Sequence, residues 1–512
     1  GAFLPVRRPR VGDYDLDGLA ASVLLREALQ SYGADAQVFI PNRLETGYGL
    51  HPETVRALAA EADVLLTVDC GISSLEEVAL ARKLGMTVII TDHHSPGPEL
   101  PPAAAVVSPR LPGGEAFGEL TGVGVADKLA EAVGAVASRF GAGGSEPSQY
   151  ADLVALGTIA DVAPLVGENR RLTKLGLERL RCRPRPGIQA LAARAGLELS
   201  SVKAWHVAFI LAPRLNAAGR LGTSSPSLRL LSTRDPREAA RLADYLERVN
   251  SARKAHLAKS LALARTELQQ RPPRAPLLFT ASEAHLPGVV GLVAARLADD
   301  LALPSVVVAI DNDVAHGSLR SIDGFNVSQA LERCSRLLTK HGGHSLAAGF
   351  TCPVDSLPRL QEMLELLAAE QLRGEDCTPS LRIDAQTELV ATGHPIWDWL
   401  PALEPTGAGN PSPTLLTRDV ALRDKALLGR DGSHLQLVLD SGKTTIRAVG
   451  FGMGHLFPSL PRRLDVVYSL DANQFGGQTE RRLLLHDLRE PAAHSDPLPD
   501  SSSQPGGTHA SS

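Results

Sequence analysis

At 512 residues the chain exceeds the size one hydrophobic core sustains, so two to four domains are expected. A hydrophobic share of 44% with 21% charged residues is ordinary globular composition, and no apolar run reaches the roughly 18 residues that a membrane span needs. The formal net charge of −5 carries no global nucleic-acid signal; Cys70, Cys182, Cys334, Cys352 and Cys377, odd in number and without C-x-x-C spacing, fit a reducing, cytoplasmic setting rather than a disulfide framework.

Residues 19–32 (LAASVLLREALQSY) have helical spacing, and AQVFI (36–40) reads as a strand. VLLTV (64–68), the amphipathic SSLEEVALARKL (73–84) and TVIIT (87–91) make one βαβ unit, and AAVVS (104–108) adds a strand. Continuous apolar strands separated by helices imply a parallel sheet covered on both faces. Residues 170–270 look helical, with one long helix from about Pro236 to Gln270. Residues 201–275 carry 14 Lys/Arg against 5 Asp/Glu, which suits either a solvated helix face or a local nucleic-acid surface. Residues 275–375 return to mixed α/β, with LPSVVVAI (303–310) as a buried strand. From about Leu381, five strand-like runs (LLTRDVAL, HLQLVLD, TTIRAVGF, LDVVYSLDA, RRLLLHDL) separated by turn residues suit a small β-barrel of the OB type. Residues 491–512, rich in Ser, Pro, Gly and His, are expected to be disordered.

Four acidic or histidine clusters mark the first α/β region: Asp13, Asp15 and Asp17 in GDYDLDG; Asp69 in TVDCG; Asp92, His93 and His94 in TDHH; and Asp161 in GTIAD. The last three directly follow apolar runs, and residues just past the carboxyl ends of parallel strands converge on one crevice. Hard carboxylates with imidazole there suit two divalent ions, Mn²⁺ or Mg²⁺, which can activate water and neutralise a phosphate. Other readings exist for single pieces. Asp13-x-Asp15-x-Asp17-Gly18 opens like an EF-hand loop, but the twelfth position is Leu24 instead of a bidentate Glu. A lone Asp after a strand, such as Asp69, more often caps a helix. Adjacent His93 and His94 point apart in an extended segment, so at most one is expected on a given metal.

GDYDLDG, VDCG, TDHH and GTIADVAPL resemble the four motifs of the DHH phosphoesterases, in family order and at the separations of its RecJ-type exonucleases. PNRLETGYG (41–49), LPPAAAVVSPRLP, PRLNAAGR (213–220), GSLRSIDGFN (317–326), GGHSLAAGF (342–350) and LEPTGAGNPSPTL (403–415) extend the resemblance to about residue 490. It implies Asp15, Asp17, Asp69, His93 and Asp161 as ligands of two metals, with Asp69 bridging and Asp13 at the edge of the first site. Asp92 and His94 would orient His93 and protonate the leaving oxygen, with simple loop support as the alternative for His94. Gly342, Gly343 and His344 resemble the hallmark of the DHH-associated domain. Ser318, Arg320 and Ser321 form a donor cluster for a 5′-terminal phosphate, while Arg214, Asn216, Arg220 and Arg43 would hold the strand near the scissile phosphate.

The implied fold is a parallel-sheet DHH domain (1–180), a helical connector (181–272), a smaller mixed α/β DHH-associated domain (273–380) and an OB-type barrel (381–490). In the barrel, Phe451, Tyr468 and Phe475 with Arg447, Arg462, Arg463, Arg481 and Arg482 are candidates for gripping a single strand; Trp397 and Trp399 read as packing. The implied activity is 5′→3′ hydrolysis of single-stranded DNA to 5′-mononucleotides in recombination and repair. It would be carried out by a monomer whose candidate partners are a helicase and a single-strand-binding protein. The alternatives are a DHH enzyme acting on short oligoribonucleotides, cyclic dinucleotides or polyphosphate, which generally lacks the barrel, and a catalytically impaired DNA-binding scaffold, which usually loses acidic ligands. Two departures stand out: Val11 occupies a position where many relatives have a His, and PVRRPRV (5–11) replaces the apolar run expected of the first strand. With a Gly rather than a Met at its start, the chain is expected to be truncated or altered at this end.

Overall fold

The structure, a computed structural model, describes residues 10–41, 49–141, 147–270, 275–373, 380–429, 431–475 and 478–491. It separates into two compact units, Gly1–Ser380 with Glu404–Pro411, and Leu381–Leu403 with Ser412–Ser512. The 492–512 stretch expected to be disordered lies outside the described residues.

The first unit begins with a parallel sheet in the order β2-β1-β3-β4-β5: β1 (Arg10–Gly12), β2 (Val38–Phe39), β3 (Val64–Val68), β4 (Thr87–Thr91) and β5 (Ala105–Val107). The first strand forms at Arg10–Gly12, after the polar lead-in. Arg10, Val11 and Gly12 pair with Leu66, Thr67 and Val68 on one side, and β2 covers the other; residues 7–9 lie outside the described residues. The DYDLDG turn runs into the helix Leu16–Ser31, so the EF-hand reading falls away. Leu16, Leu19, Val23 and Leu24 of that helix are fully buried against the helices Gly122–Arg139 and Ala151–Ala160.

The helix Pro236–Gln270 has 35 residues, about 50 Å at the α-helical rise. Its first half packs on the helices Pro186–Arg194 and Ala212–Leu221, and its last turns reach a second sheet. That sheet has the order β6-β7-β8-β10-β9, with β6 (Leu278–Ser282), β7 (Ser305–Asp311), β8 (Val314–Arg320), β9 (Lys340–His344) and β10 (Ala347–Pro353). The helix Val290–Leu301 fills one face, and Val327–Arg333 with Leu357–Gln371 fill the other.

The second unit is a closed barrel. β12 (Leu415–Leu428), β13 (His434–Asp440), β14 (Thr445–Gly450), β16 (Gln478–Arg489) and β15 (Arg463–Phe475) are neighbours in that order, and β15 pairs back onto β12; β11 (Ala385–Gln386) adds to the edge. All five expected strands form. No helix among the described residues is long and apolar enough to cross a membrane.

Candidate metal centre and phosphate pocket

Asp13, Asp15 and Asp17 lie where β1 turns into the helix Leu16–Ser31. Asp15 is the N-cap: its Oδ1 accepts from the amides of Asp17 (3.0 Å) and Gly18 (3.1 Å). Asp17, only 1% exposed, reaches a second helix start, where the amides of Gly122 and Val123 donate to its two oxygens at 2.7 and 3.0 Å. Oriented amides at a helix N-terminus stabilise a carboxylate that burial would otherwise disfavour. Asp69 follows β3 in the left-handed region (φ 60°), its amide still bonded to Thr91 O at 2.9 Å. The next helix begins at Leu75 after Ser74, so Asp69 caps nothing there. Asp92 follows β4 and accepts from Ile72 N (3.0 Å) and His94 Nδ1 (2.7 Å). Asp161 differs from expectation: ADLVALGTIA is a helix, and Asp161 is its C-cap instead of a strand-end residue.

These elements converge. His93 Nε2 lies 3.1 Å from Asp69 Oδ1 and 4.0 Å from both Asp17 Oδ2 and Asp161 Oδ2. Three donor sets form, each with ligand atoms within 4.8 Å: Asp13/Asp15/Asp69, Asp17/His93/Asp161 and Asp69/His93/His94. Asp69 and His93 each belong to two. The histidines do not diverge as expected; their ring centroids are 4.5 Å apart.

The electrostatics explain what this geometry lacks as protein alone. Burial, then the charges of Asp161 and Asp15, pushes the Asp17 carboxyl well up; burial, then Asp17, Asp15 and Asp13, does the same to Asp69. Asp161 is pushed up to about 7 by desolvation and then by Asp15. Burial, then the His94 charge, lowers His93 to about 3, leaving a neutral imidazole able to act as a ligand. His94 goes the other way: burial opposes its cation, but the hydrogen bond and charge of Asp92 prevail and raise it. Several buried carboxylates cannot all ionise beside one another without a cation, and hard oxygen donors with one imidazole suit divalent Mn²⁺ or Mg²⁺.

Glycines, which sequence reasoning left aside, let these carboxylates meet. A Cβ on Gly122 would lie 2.4 Å from Asp69 Oδ1, one on Gly157 2.6 Å from Asp17 Oδ1, and one on Gly18 2.7 Å from Asp13 Cβ. The only signal was a glycine directly after a capping Thr in LTGVGVA. Arg110 was also missed: its Nε donates to His93 O (3.4 Å) and its charge lowers both His93 and His344.

The second sheet faces this cluster with donors in two rows. Arg320, Ala347 and His344 are aligned across β8, β10 and β9; Ser318, Gly349 and Gly342 form the adjacent row. Arg320 Nη1 donates to Ser318 Oγ (3.1 Å) and Leu319 O (2.8 Å). Gly291, in the first turn of its helix, leaves the space beside them, since its Cβ would lie 3.0 Å from Ser318 Oγ and 3.3 Å from Arg320 Nη2. Gly343 has φ 142° and a would-be Cβ 2.4 Å from Ala347 O, so only glycine fits. The His344 ring stacks on His94 with centroids 5.8 Å apart and planes at 7°. The Ser321 hydroxyl, by contrast, donates to Phe325 O at 2.5 Å. Arg214 is engaged by Glu247 (2.6 Å) and Ile210 O (2.7 Å). Asn216 and Arg220 share the half-exposed face of the helix Ala212–Leu221, and Asn216 Oδ1 is buried without a hydrogen-bond partner among the described residues. Arg43 lies outside the described residues.

Within the barrel the grip is sparser than expected. Tyr468 is fully buried with its hydroxyl 2.9 Å from Thr417 Oγ1, so it is core and not a stacking platform. Phe451 is exposed, and the Phe475 side chain lies outside the described residues. Arg447, Arg463, Arg481 and Arg482 form ion pairs with Glu480, Asp419, Asp398 and Asp471. Trp397 is packing as expected; Trp399 is exposed.

Family models match along the chain: "DHH family, N-terminal domain" over residues 11–158, "DHHA1 domain" over 277–370 and "RecJ OB domain" over 383–487. The chain is 35% identical to the single-stranded-DNA-specific exonuclease RecJ of Bacillus subtilis, over 93% of this chain and 60% of that protein. It thus spans less than two thirds of that relative's length. To the exonuclease of the same name from Thermus thermophilus it is 38% identical, over 95% of this chain and 69% of the relative. It is also similar to the crystal structure of RecJ in complex with Mn²⁺ from Thermus thermophilus, with TM-score 0.79 and 36% identity over 95% of this chain and 69% of that one.

Proposed function

The chain belongs to the RecJ family within the DHH phosphoesterases, and from that membership we propose that it hydrolyses single-stranded DNA from the 5′ end by two-metal catalysis. The observation that carries the reading is the convergence of Asp13, Asp15, Asp17, Asp69, His93 and Asp161 in overlapping donor sets that share Asp69 and His93.

Asp13, Asp15 and Asp69 would hold one cation, and Asp17, His93 and Asp161 the other, with Asp69 in reach of both. Two such ions supply an acidified water and neutralisation of the phosphate's charge. The protein's own groups do the rest. Asp92 orients His94 through Nδ1 and raises it, so the proton-holding imidazole would protonate the leaving 3′ oxygen. His344, stacked on His94, and Arg110 supply positive or donor character beside the cleaved phosphate. Arg320 and Ser318, with the glycines of β9, would receive the 5′-terminal phosphate and so set polarity and the mononucleotide product.

The barrel argues against a short-oligonucleotide, cyclic-dinucleotide or polyphosphate hydrolase, and the intact ligand set argues against a scaffold. A cytoplasmic monomer working with a helicase and a single-strand-binding protein belongs to the same reading. The decisive assay uses a 5′-phosphorylated oligonucleotide, labelled at either end, with Mn²⁺ or Mg²⁺. Stepwise release of 5′-mononucleotides from the 5′ end is expected; release from the 3′ end, or cleavage of dinucleotides alone, would refute the proposal.

A further inference from the structure

The helix that starts after Lys203 continues to Leu221 with one wider turn at Val207–Leu211, where Ala212 N donates to Val207 O five residues back. Pro213, which has no N–H to give Phe209 O, follows directly, and Arg214 Nη1 donates to Ile210 O at 2.7 Å. Val207, Leu211, Leu215 and Ala218 turn inward and are buried. Trp205, Phe209, Pro213, Asn216 and Arg220, at steps of four, four, three and four, share the outward stripe.

Phe209 is 76% exposed and Trp205 45%. The Trp205 indole lies on the His206 ring, centroids 3.7 Å apart and planes at 28°, so it stands in a set orientation. Aromatics make up 4% of the chain, and two of them facing outward one turn apart form an apolar surface that a flat partner would cover. Lys203 and Arg214 are engaged by Glu404 and Glu247, so the rings rather than charge must carry the grip at this end. The other end of the stripe meets the metal centre. A Cβ on Gly219 would lie 3.1 Å from Tyr14 O, between Asp13 and Asp15, and Ser224 Oγ donates to that same oxygen at 2.8 Å. At the α-helical rise, Phe209 stands about 15 Å and Trp205 about 20 Å along the helix from Gly219.

We propose that Phe209 and Trp205 form a stacking platform for bases of the bound single strand on the 3′ side of the scissile phosphate. The inference rests on the single-stranded-DNA reading above, in which the donors on β8 hold the 5′ end and the metal centre holds the scissile phosphate. The stripe then gives the 3′ continuation of the strand a surface that starts at the metal turn. Every base has a π face, so such a platform grips without reading sequence. Neither aromatic belongs to the motifs that carried the exonuclease reading.

The test is binding of a fluorescent 5′-phosphorylated oligo-dT to the full chain, with Ca²⁺ in place of Mn²⁺, over a potassium chloride series. Thermal midpoints without DNA are measured in parallel for wild type, Phe209→Ala and Phe209→Tyr. Phe209→Ala should weaken binding about 5- to 150-fold, the worth of one stacked base. The slope of log K against log salt should stay at the wild-type value, because no phosphate contact is lost. Phe209→Tyr should bind like wild type, and all three midpoints should agree, since the ring is exposed. A single abasic position walked along the oligonucleotide should reach one place where the missing base weakens wild type but not Phe209→Ala. Unchanged affinity in Phe209→Ala overturns the platform, as does the lack of any such coupled position. A slope that falls with the affinity would place the loss in a phosphate contact and overturn it too, and an Ala variant that melts far lower would make the ring structural. Wild type that binds no single strand sinks the exonuclease reading as well; wild type that binds while Phe209→Ala binds equally sinks only the platform.

Discussion

Gly122 is the sharpest point at which to perturb the centre without touching a ligand. The predicted outcome for Gly122→Ala follows from the two anchored groups it separates. The new Cβ would stand 2.4 Å from Asp69 Oδ1 and 2.5 Å from its Cγ, where an ordinary contact is about 3.5 Å, so something must yield by about 1 Å. Neither side is free to give. Asp69 is held by its left-handed backbone and by the bond from its amide to Thr91 O, and Gly122 N is tied to Asp17 Oδ2 at 2.7 Å. Relief must either swing Asp69 off its two donor sets or pull the helix start away from Asp17. Overpacking of this kind costs about 1–3 kcal/mol of stability, and a 1 Å displacement of a catalytic group costs about 100-fold in rate. Gly124→Ala is the control, since it gains the same helix propensity while the nearest atoms to its Cβ all belong to the Leu120 side chain, a methyl at 2.9 Å first among them. The assay is kcat at saturating Mn²⁺, with the Mn²⁺ concentration for half-maximal rate, for both variants. A Gly122→Ala enzyme within about threefold of wild type, or equal losses in both variants, would refute the argument from close approach.

Asp69→Ala removes the carboxylate shared by two donor sets, so turnover is predicted to fall by about 10³-fold or more. The metal-free thermal midpoint should rise, because burial and four neighbouring carboxylates work against that charge; retention of about a tenth of wild-type turnover would contradict the shared-ligand role. Arg320→Ala is predicted to erase the preference for a 5′-phosphate over a 5′-hydroxyl end, raising KM about 10- to 100-fold for the phosphorylated end alone. Equal rate changes on both ends would move end recognition elsewhere. For pH, the Asp161 carboxyl titrates near 7 in the folded chain against an ordinary 3.8. Its stabilising contribution to the metal-free protein is thus fully present below about pH 3.8 and lost as pH rises through 7. Cations that favour the ionised form reverse that loss, so the midpoint gain on adding Mn²⁺ should grow steadily from pH 5 to 8. A gain independent of pH would show that these carboxylates do not bind the ion.

The strands that carry Asp69 and Asp92 were legible because VLLTV and TVIIT are short, continuously apolar and flanked by turns, as buried parallel strands are. The same rule misplaced Asp161. ADLVALGTIA is apolar all round because its helix is buried on every side, which removes the 3.6-residue period that would have distinguished it from a strand. Tyr468 was misread for another reason. Its aromatic ring and polar tip suit a stacking surface, but it alternates inward with Leu464 and Val466, and its hydroxyl is satisfied inside by Thr417. The contribution of Gly122 left only a faint mark, a glycine after a capping Thr: it lies 105 residues from Asp17, and only the fold brings its backbone against two carboxylates. Residue types announce chemistry; the spaces between them are set by packing over long separations.

The segment Glu404–Pro411 shows how far that packing reaches. It belongs with the first unit although the chain on both sides of it belongs to the second. Ala408 O accepts from Leu165 N at 2.7 Å, while Arg170 donates to Pro405 O (3.0 Å) and Glu404 O (3.1 Å). Lys203 pairs with Glu404 at 3.4 Å, and Gly409 packs so closely on Pro164 that a Cβ would lie 2.9 Å away. All of these contacts but Lys203 hold residues 164–170, the end of the loop that leaves Asp161 and the strained Val162 (φ 58°) and the first turn of the helix Gly167–Cys182 that follows it. A chain ended near Leu381, where the composition changes, loses this strap together with the barrel. Slower cleavage by such a truncation would therefore report two losses at once, the support of a metal-side loop and the grip on a long strand. Substitutions at Arg170 or Lys203, which leave the barrel's sequence intact, isolate the first from the second.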